Sequence, residues 1–166
     1  MTAGAGPVGF RVGQGFDVHR FSGDPGRLLV LGGVTVPGAA GLAGHSDADV
    51  VAHAVAEALL GAAGLGDLGR HFPASDPAWA GADSLGLLER VASMVDDQGW
   101  HLVNADCTVV CERPRLAEHT DGMATCLGAR LDAPVSVKAK RAEGLGALGR
   151  VEGIACLAVV LLAGGA

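Results

Sequence analysis

The run 151–162 is apolar on both faces, which is the pattern of a central strand inside a sheet rather than of an edge strand. It is too short to cross a membrane as a helix. Further strand-like segments precede it: 11–19, one or two within 27–36 interrupted by Gly32-Gly33, 101–111, and 134–139. Helix-period segments lie between them. Ser46 with Asp49 three residues on reads as a capping box. It opens a helix carrying Val50, Val51, Ala54, Val55, Ala58, Leu59 and Leu60, which weakens through 61–66. Residues 64–82 read as a long Gly/Pro/Asp loop, a length usual for functional or disordered segments. A second amphipathic helix is expected over about 83–98, with Leu85, Leu88, Val91 and Val95 at helical spacing. A third is expected over 114–127, with Pro114 in its first turn. Strands alternating with helices predict an α/β (α+β) sandwich, with a single mixed β-sheet covered by helices on one face. One domain is expected over 11–166, behind a flexible N-terminal tail, 1–10.

Composition narrows the function classes. The chain has 166 residues, of which 49% are hydrophobic and 18% charged, against about 25% charged in typical domains. So little charge leaves a monomer poorly covered and predicts a buried interface between subunits. The net charge is −6, and no cluster of Lys and Arg is interleaved with aromatics, which disfavours nucleic acid as a partner. The four cysteines (Cys107, Cys111, Cys126 and Cys156) show no CxxC pairing and read as reduced thiols of a cytoplasmic protein. Residues 1–7 carry neither a basic stretch nor a long apolar core, so no signal peptide and no membrane partner are expected.

The chemistry concentrates in Gly15-Phe16-Asp17-Val18-His19 and His45-Ser46-Asp47-Ala48-Asp49, followed by His53. On a strand, Asp17 and His19 project from the same face. His53 supplies a third candidate ligand from a helix. Two histidines, a carboxylate and an open fourth position describe a catalytic zinc site; the alternative is a hydrogen-bonded pair at a strand end. Asp49 and Glu57 flank His53 at four-residue spacing and share its helix face. Either can take the free ring proton of a metal-bound imidazole, or the three form a solvated stripe. His45 and Ser46 stand at the helix start, where free amides favour an anion. His71, His101 and His119 read as surface or packing residues. In 138–144, Lys140 and Arg141 offer cations for a phosphate and Glu143 a carboxylate for a hard divalent ion; a solvated turn is the other reading.

Together these motifs resemble one family, the 2-C-methyl-D-erythritol 2,4-cyclodiphosphate synthases of the non-mevalonate route to isoprenoids. The resemblance rests on Gly13-x-Gly15-Phe16-Asp17-Val18-His19-x-Phe21, Leu31-Gly32-Gly33-Val34, His45-Ser46-Asp47-x-Asp49-Val50-x-x-His53, Leu65-Gly66-Asp67-Leu68-Gly69, Phe72-Pro73, Gly81-Ala82-Asp83-Ser84 and Gly149-Arg150-x-Glu152-Gly153. It implies zinc (Zn2+) on Asp17, His19 and His53, and substrate phosphate on His45 and Ser46. Asp67, Leu68 and Gly69 would meet the methylerythritol hydroxyls, with Phe72 and Asp76 beside them. The segment 111–117, with Cys111, Arg113, Pro114 and Arg115, would form the cytidine pocket. A second divalent cation, Mg2+ or Mn2+, would sit on Glu143. Arg150 would lie near the central cavity of a homotrimer with intersubunit active sites. The implied reaction is a lyase-type cyclisation of a CDP-alcohol phosphate by intramolecular phosphoryl transfer, with His45, Arg141 and Glu143 as catalytic residues.

The chain departs from the family where the diphosphate would lie. A Thr-Thr-Thr run before the Glu is replaced by Lys140-Arg141-Ala142, and the common Phe-Thr that follows is Ala147-Leu148. Two further readings therefore stay open: a zinc-dependent nucleotide phosphodiesterase, and a catalytically impaired trimer that binds isoprenoid diphosphates.

Overall fold

The computed structural model describes residues 8–165. Its elements are β1 (Val8–Arg20), β2 (Leu28–Leu31), β3 (Val34–Ala40), α1 (Val50–Ala63), α2 (Leu68–His71), a single 3₁₀ turn at Pro77–Trp79, α3 (Ser84–Asp97), β4 (Trp100–Val110), α4 (Thr120–Leu131), β5 (Val135–Lys140), α5 (Gly146–Gly149) and β6 (Gly153–Gly165). Four strands form a mixed sheet in the order β1-β6-β4-β5. β6 is antiparallel to both neighbours, and β4 runs parallel to β5. The sheet is not single, because β2 and β3 pair separately as a hairpin. Its two-residue turn, Gly32-Gly33, has positive φ at both positions (55° and 76°), as a type I′ turn requires.

One close approach sets the architecture. Gly13 and Gly15 lie on the inner face of β1, where a Cβ would fall 1.9 Å from Ala58 O and 2.0 Å from Ala54 O. Only glycine lets the backbone of α1 rest directly on the strand, and α1 answers with alanines at four-residue spacing. The same strand face continues into Asp17 and His19, so this approach carries His53 to them. The core beneath the helices gathers α1 with Leu88, Val91, Met123, Leu127, Ile154, Val160 and Leu162, all fully buried. Helices cover this face alone. On the opposite face Phe10, Val12, Phe16, Val18, Leu157 and Val159 are each between 42% and 70% exposed.

Several local expectations need correction. β1 begins at Val8, so the strand takes in three residues assigned to the tail; 1–7 lie outside the described residues. β6 is central, but Val151 belongs to the preceding turn with φ 62°, and the outer face of β6 is open in a single chain. The third helix starts at Thr120 rather than Pro114. Cys111 N–H still donates to Lys140 O at 2.9 Å, so the chain extends the sheet ladder there and turns only afterwards. The 64–82 loop contains α2 and the 3₁₀ turn, both capped by aspartates, Asp67 and Asp76. No helix among the described residues is long and apolar enough to cross a membrane.

Asp49, not Ser46, caps α1. Its buried carboxylate accepts from Val51 N (3.0 Å) and Ala52 N (3.1 Å), and from Gly32 N (2.8 Å) and Gly33 N (2.7 Å) of the hairpin turn. Burial pushes this carboxyl above the usual range, and the N–H groups of Gly33, Ala52 and Gly32 oppose that. Asp49→Ala strands four donors in the interior. It is expected to destabilise the fold by about 3 kcal/mol, measured by urea unfolding.

Candidate active site

Asp17 and His19 point inward from the end of β1, and His53 meets them from α1. Asp17 Oδ2 lies 3.0 Å from His19 Nε2 and 2.9 Å from His53 Nδ1. Burial alone would raise the Asp17 carboxyl, but hydrogen bonds from the two imidazoles outweigh it and hold it well below the usual carboxylate range. His19 is raised, first by its bond to Asp17, against burial, and further by donating from Nδ1 to Ala43 O at 2.7 Å.

The outer contacts decide which atoms are free for a cation. Ala43 O takes the His19 Nδ1 proton, which leaves Nε2 facing Asp17. His53 Nε2 lies 2.9 Å from Ser84 Oγ and 3.2 Å from Ser46 Oγ. Ser84 Oγ in turn donates to Asp47, so its lone pairs accept the Nε2 proton and the ring presents Nδ1 to Asp17. With both rings neutral, as binding a cation requires, three acceptor atoms converge, all within 4.8 Å of one another. Tetrahedral zinc holds its ligands about 3.3 Å apart, so the donor set and spacing fit the ion. The supports are not the carboxylates expected from helix spacing: Asp49 is spent on the cap, and Glu57 accepts Leu68 N–H at 3.0 Å. Ser84→Ala removes the orienting acceptor and is expected to weaken zinc binding by roughly 10–100-fold, read by competition with a chromophoric chelator.

The triad opens into a cavity of about 260 Å³ lined by Asp17, His19, His45, Ser46, His53 and Glu57, with Leu68, Gly69, Phe72, Ala74, Trp79 and Leu87. Ser46 does not present a free helix terminus to an anion, because Asp49 already occupies the α1 amides. Its hydroxyl instead accepts Ala48 N–H at 3.1 Å and faces His53. His45 donates from Nε2 to Asp76 O at 3.3 Å. Leu68 and Gly69 line the cavity, while Asp67 before them caps α2, accepting Arg70 N–H at 2.9 Å. Phe72 packs edge-on against Trp79, with centroids 5.0 Å apart.

The rest of the expected site lies elsewhere on the chain. A second cavity of about 320 Å³ is lined by Cys111, Glu112, Pro114, Arg115, Leu116, Ala117, Ala139, Lys140 and Arg141. It shares no residue with the first. Arg113 lines a third, with Pro114, Arg115 and Phe21. Glu143 is exposed in the turn after β5, and Arg150 pairs with Glu152 at 2.6 Å. Cys111 is pushed up to about 11, chiefly by burial, and donates to Arg113 O, so it packs this pocket as a thiol. Ser84, Trp79 and Leu87 were not anticipated as site residues. Ser84 lies 31 positions from His53, and helical or strand spacing carries no signal across that gap.

Residues 10–163 match the YgbB family. The chain belongs to the YgbB family. A relative from Symbiobacterium thermophilum, a 2-C-methyl-D-erythritol 2,4-cyclodiphosphate synthase, is 54% identical and is matched over 92% of this chain and 98% of its own. Among solved structures, the bifunctional IspDF from Campylobacter jejuni superposes with a TM-score of 0.90 at 38% identity, over 95% of this chain and 43% of that one. The Plasmodium falciparum IspF complex with CDP gives 0.81 at 28% identity, over 95% and 98%. In this YgbB chain the Asp17, His19 and His53 triad is complete, and Lys140 and Arg141 line the second cavity.

Proposed function

We propose that this chain is a 2-C-methyl-D-erythritol 2,4-cyclodiphosphate synthase. It converts 4-diphosphocytidyl-2-C-methyl-D-erythritol 2-phosphate to the 2,4-cyclodiphosphate and releases CMP. The observation that carries the reading is the convergence of Asp17, His19 and His53, with Ala43 and Ser84 fixing both imidazoles, on a cavity sized for a small polyol phosphate.

An oxygen of the 2-phosphate attacks the β-phosphorus, the bond from that phosphorus to the bridging oxygen breaks, and CMP leaves with the electron pair. No protein nucleophile is needed, so positioning and charge stabilisation do the catalytic work. Asp17, His19 and His53 hold Zn2+ and Glu143 a second divalent ion, Mg2+ or Mn2+, which supply Lewis acidity to the phosphate oxygens when bound. Ser46 and His45 bind the phosphate at the cavity mouth. Asp67, Leu68 and Gly69 meet the polyol hydroxyls, while Phe72 and Trp79 shield them from water. The pocket of 111–117 takes the cytidine, with Arg115 and Lys140 beside the diphosphate.

The two cavities serve one substrate across a homotrimer interface. The supporting observation is the uncovered outer face of β1 and β6, where Phe16 pairs with Leu157 and Phe10, Val12, Val18 and Val159 extend the apolar patch. Patches of this kind mark subunit interfaces. The free cysteines suit a reducing cytoplasm.

Turnover in water enriched in oxygen-18 separates this reaction from a phosphodiesterase. Cyclisation yields products without the label. Label in either phosphate product would identify hydrolysis and overturn the assignment.

A further inference from the structure

Glu112 and Arg141 lie just past the ends of the parallel strands β4 and β5. Val110 is opposite Lys140 in the register, and Cys111 N–H donates to Lys140 O at 2.9 Å. One step further on, the Glu112 carboxylate accepts from Arg141 through Nε at 3.0 Å and through Nη2. Its second oxygen accepts Gly144 N–H at 3.3 Å. A single carboxylate therefore ties the 111–117 segment to the 141–144 turn, and the bond from Arg141 holds it below the usual carboxylate range.

That turn needs restraint. Glu143 adopts φ 53°, a left-handed conformation uncommon for a residue with a side chain. Gly144 follows at φ 75°. Behind it α5 packs without clearance: a Cβ on Gly149 would lie 2.1 Å from Gly144 C. The turn is held by α5 on one side and by Glu112 on the other. Arg115 and Lys140 line the same cavity as Glu112 and Arg141, yet no ion pair engages either of them among the described residues.

We infer that Glu112 is a positioning residue: through Arg141 and the Gly144 amide it fixes the turn that presents Glu143, and it keeps the Arg141 guanidinium on a protein carboxylate rather than on substrate phosphate. This rests on the synthase reading above. It also explains how the chain accommodates a cation where the family carries a neutral hydroxyl. The added charge is neutralised by Glu112, just past the end of β4, and converted into a brace.

Glu112→Ala and Glu112→Gln in the full chain test it, with zinc content, the Mg2+ dependence of turnover and hydrogen exchange at the Gly144 amide as readouts. In Glu112→Ala, kcat is expected to fall and half-saturating Mg2+ to rise by about tenfold each, the size usual for loss of a supporting contact. Zinc content stays unchanged, and the Gly144 amide exchanges roughly tenfold faster. Glu112→Gln keeps a neutral acceptor and falls between. Adding Arg141→Ala to Glu112→Ala brings no further loss, because Arg141 has already lost the contact through which it holds the turn. Wild-type Mg2+ dependence and wild-type Gly144 exchange in both variants would overturn the inference. If Glu112→Ala does not fold, Glu112→Gln decides alone on the same readouts. Failure of the wild-type protein to form a cyclic product would instead sink the synthase reading, and Gly144 exchange then tests the brace independently of turnover.

Discussion

Replacing His53 with alanine is expected to remove bound zinc from the purified protein and to lower turnover by roughly a thousandfold or more. The size follows from Lewis-acid stabilisation of several kcal/mol, each 1.36 kcal/mol being tenfold in rate. Two ligands, Asp17 and His19, remain on one strand, and two ligands do not hold zinc in a tetrahedral catalytic site. The fold itself should survive, because His53 is part-buried and its partners Ser46 and Ser84 keep each other at 3.2 Å. Metal analysis alongside circular dichroism checks this. Retained zinc with lost activity would place His53 in the chemistry rather than in the metal site, and retained activity without zinc would contradict the mechanism outright.

A large structural effect is expected at Gly15. A methyl group there lies 2.0 Å from Ala54 O and 2.6 Å from Ala58 N, both backbone atoms of a helix that cannot deform locally. Overpacking in a close-packed core costs about 1–3 kcal/mol when side chains can adjust; here the whole of α1 must lift, so Gly15→Ala is expected to exceed about 3 kcal/mol in denaturant unfolding. Lifting α1 also draws His53 away from Asp17, so zinc affinity falls in whatever fraction remains folded. That second effect distinguishes this position from an ordinary core substitution. Gly15→Ala with wild-type stability and zinc content would mean that α1 does not rest on β1 as described.

Much of the candidate metal site was legible because its rules are local. A strand projects Asp17 and His19 together, and a strongly apolar helix carries His53 one turn past its cap. The supporting contacts were not legible. Five consecutive residues, His45 to Asp49, include three possible caps, and the choice of Asp49 depends on the Gly32-Gly33 turn 16–17 positions earlier. Ser84 as the partner of His53 is a tertiary fact of the same kind. The helices inside 64–82 are too short for periodicity to register, their only trace being the capping aspartates Asp67 and Asp76. The apolar outer face of β6 has the pattern of a strand buried within the sheet, whereas in one chain that face is open. Sequence reports that a face will be covered without saying by what. Arg141, expected as a phosphate-binding and catalytic cation, is instead tied to Glu112 just past the end of β4.

Phosphorus NMR of the purified protein with 4-diphosphocytidyl-2-C-methyl-D-erythritol 2-phosphate, zinc and magnesium reads the cyclisation itself. Coupled resonances of a cyclic diphosphate are expected to grow together with CMP, and neither is expected to grow with the His53→Ala protein. Unchanged substrate, or a linear phosphate in place of the cyclic product, would contradict it.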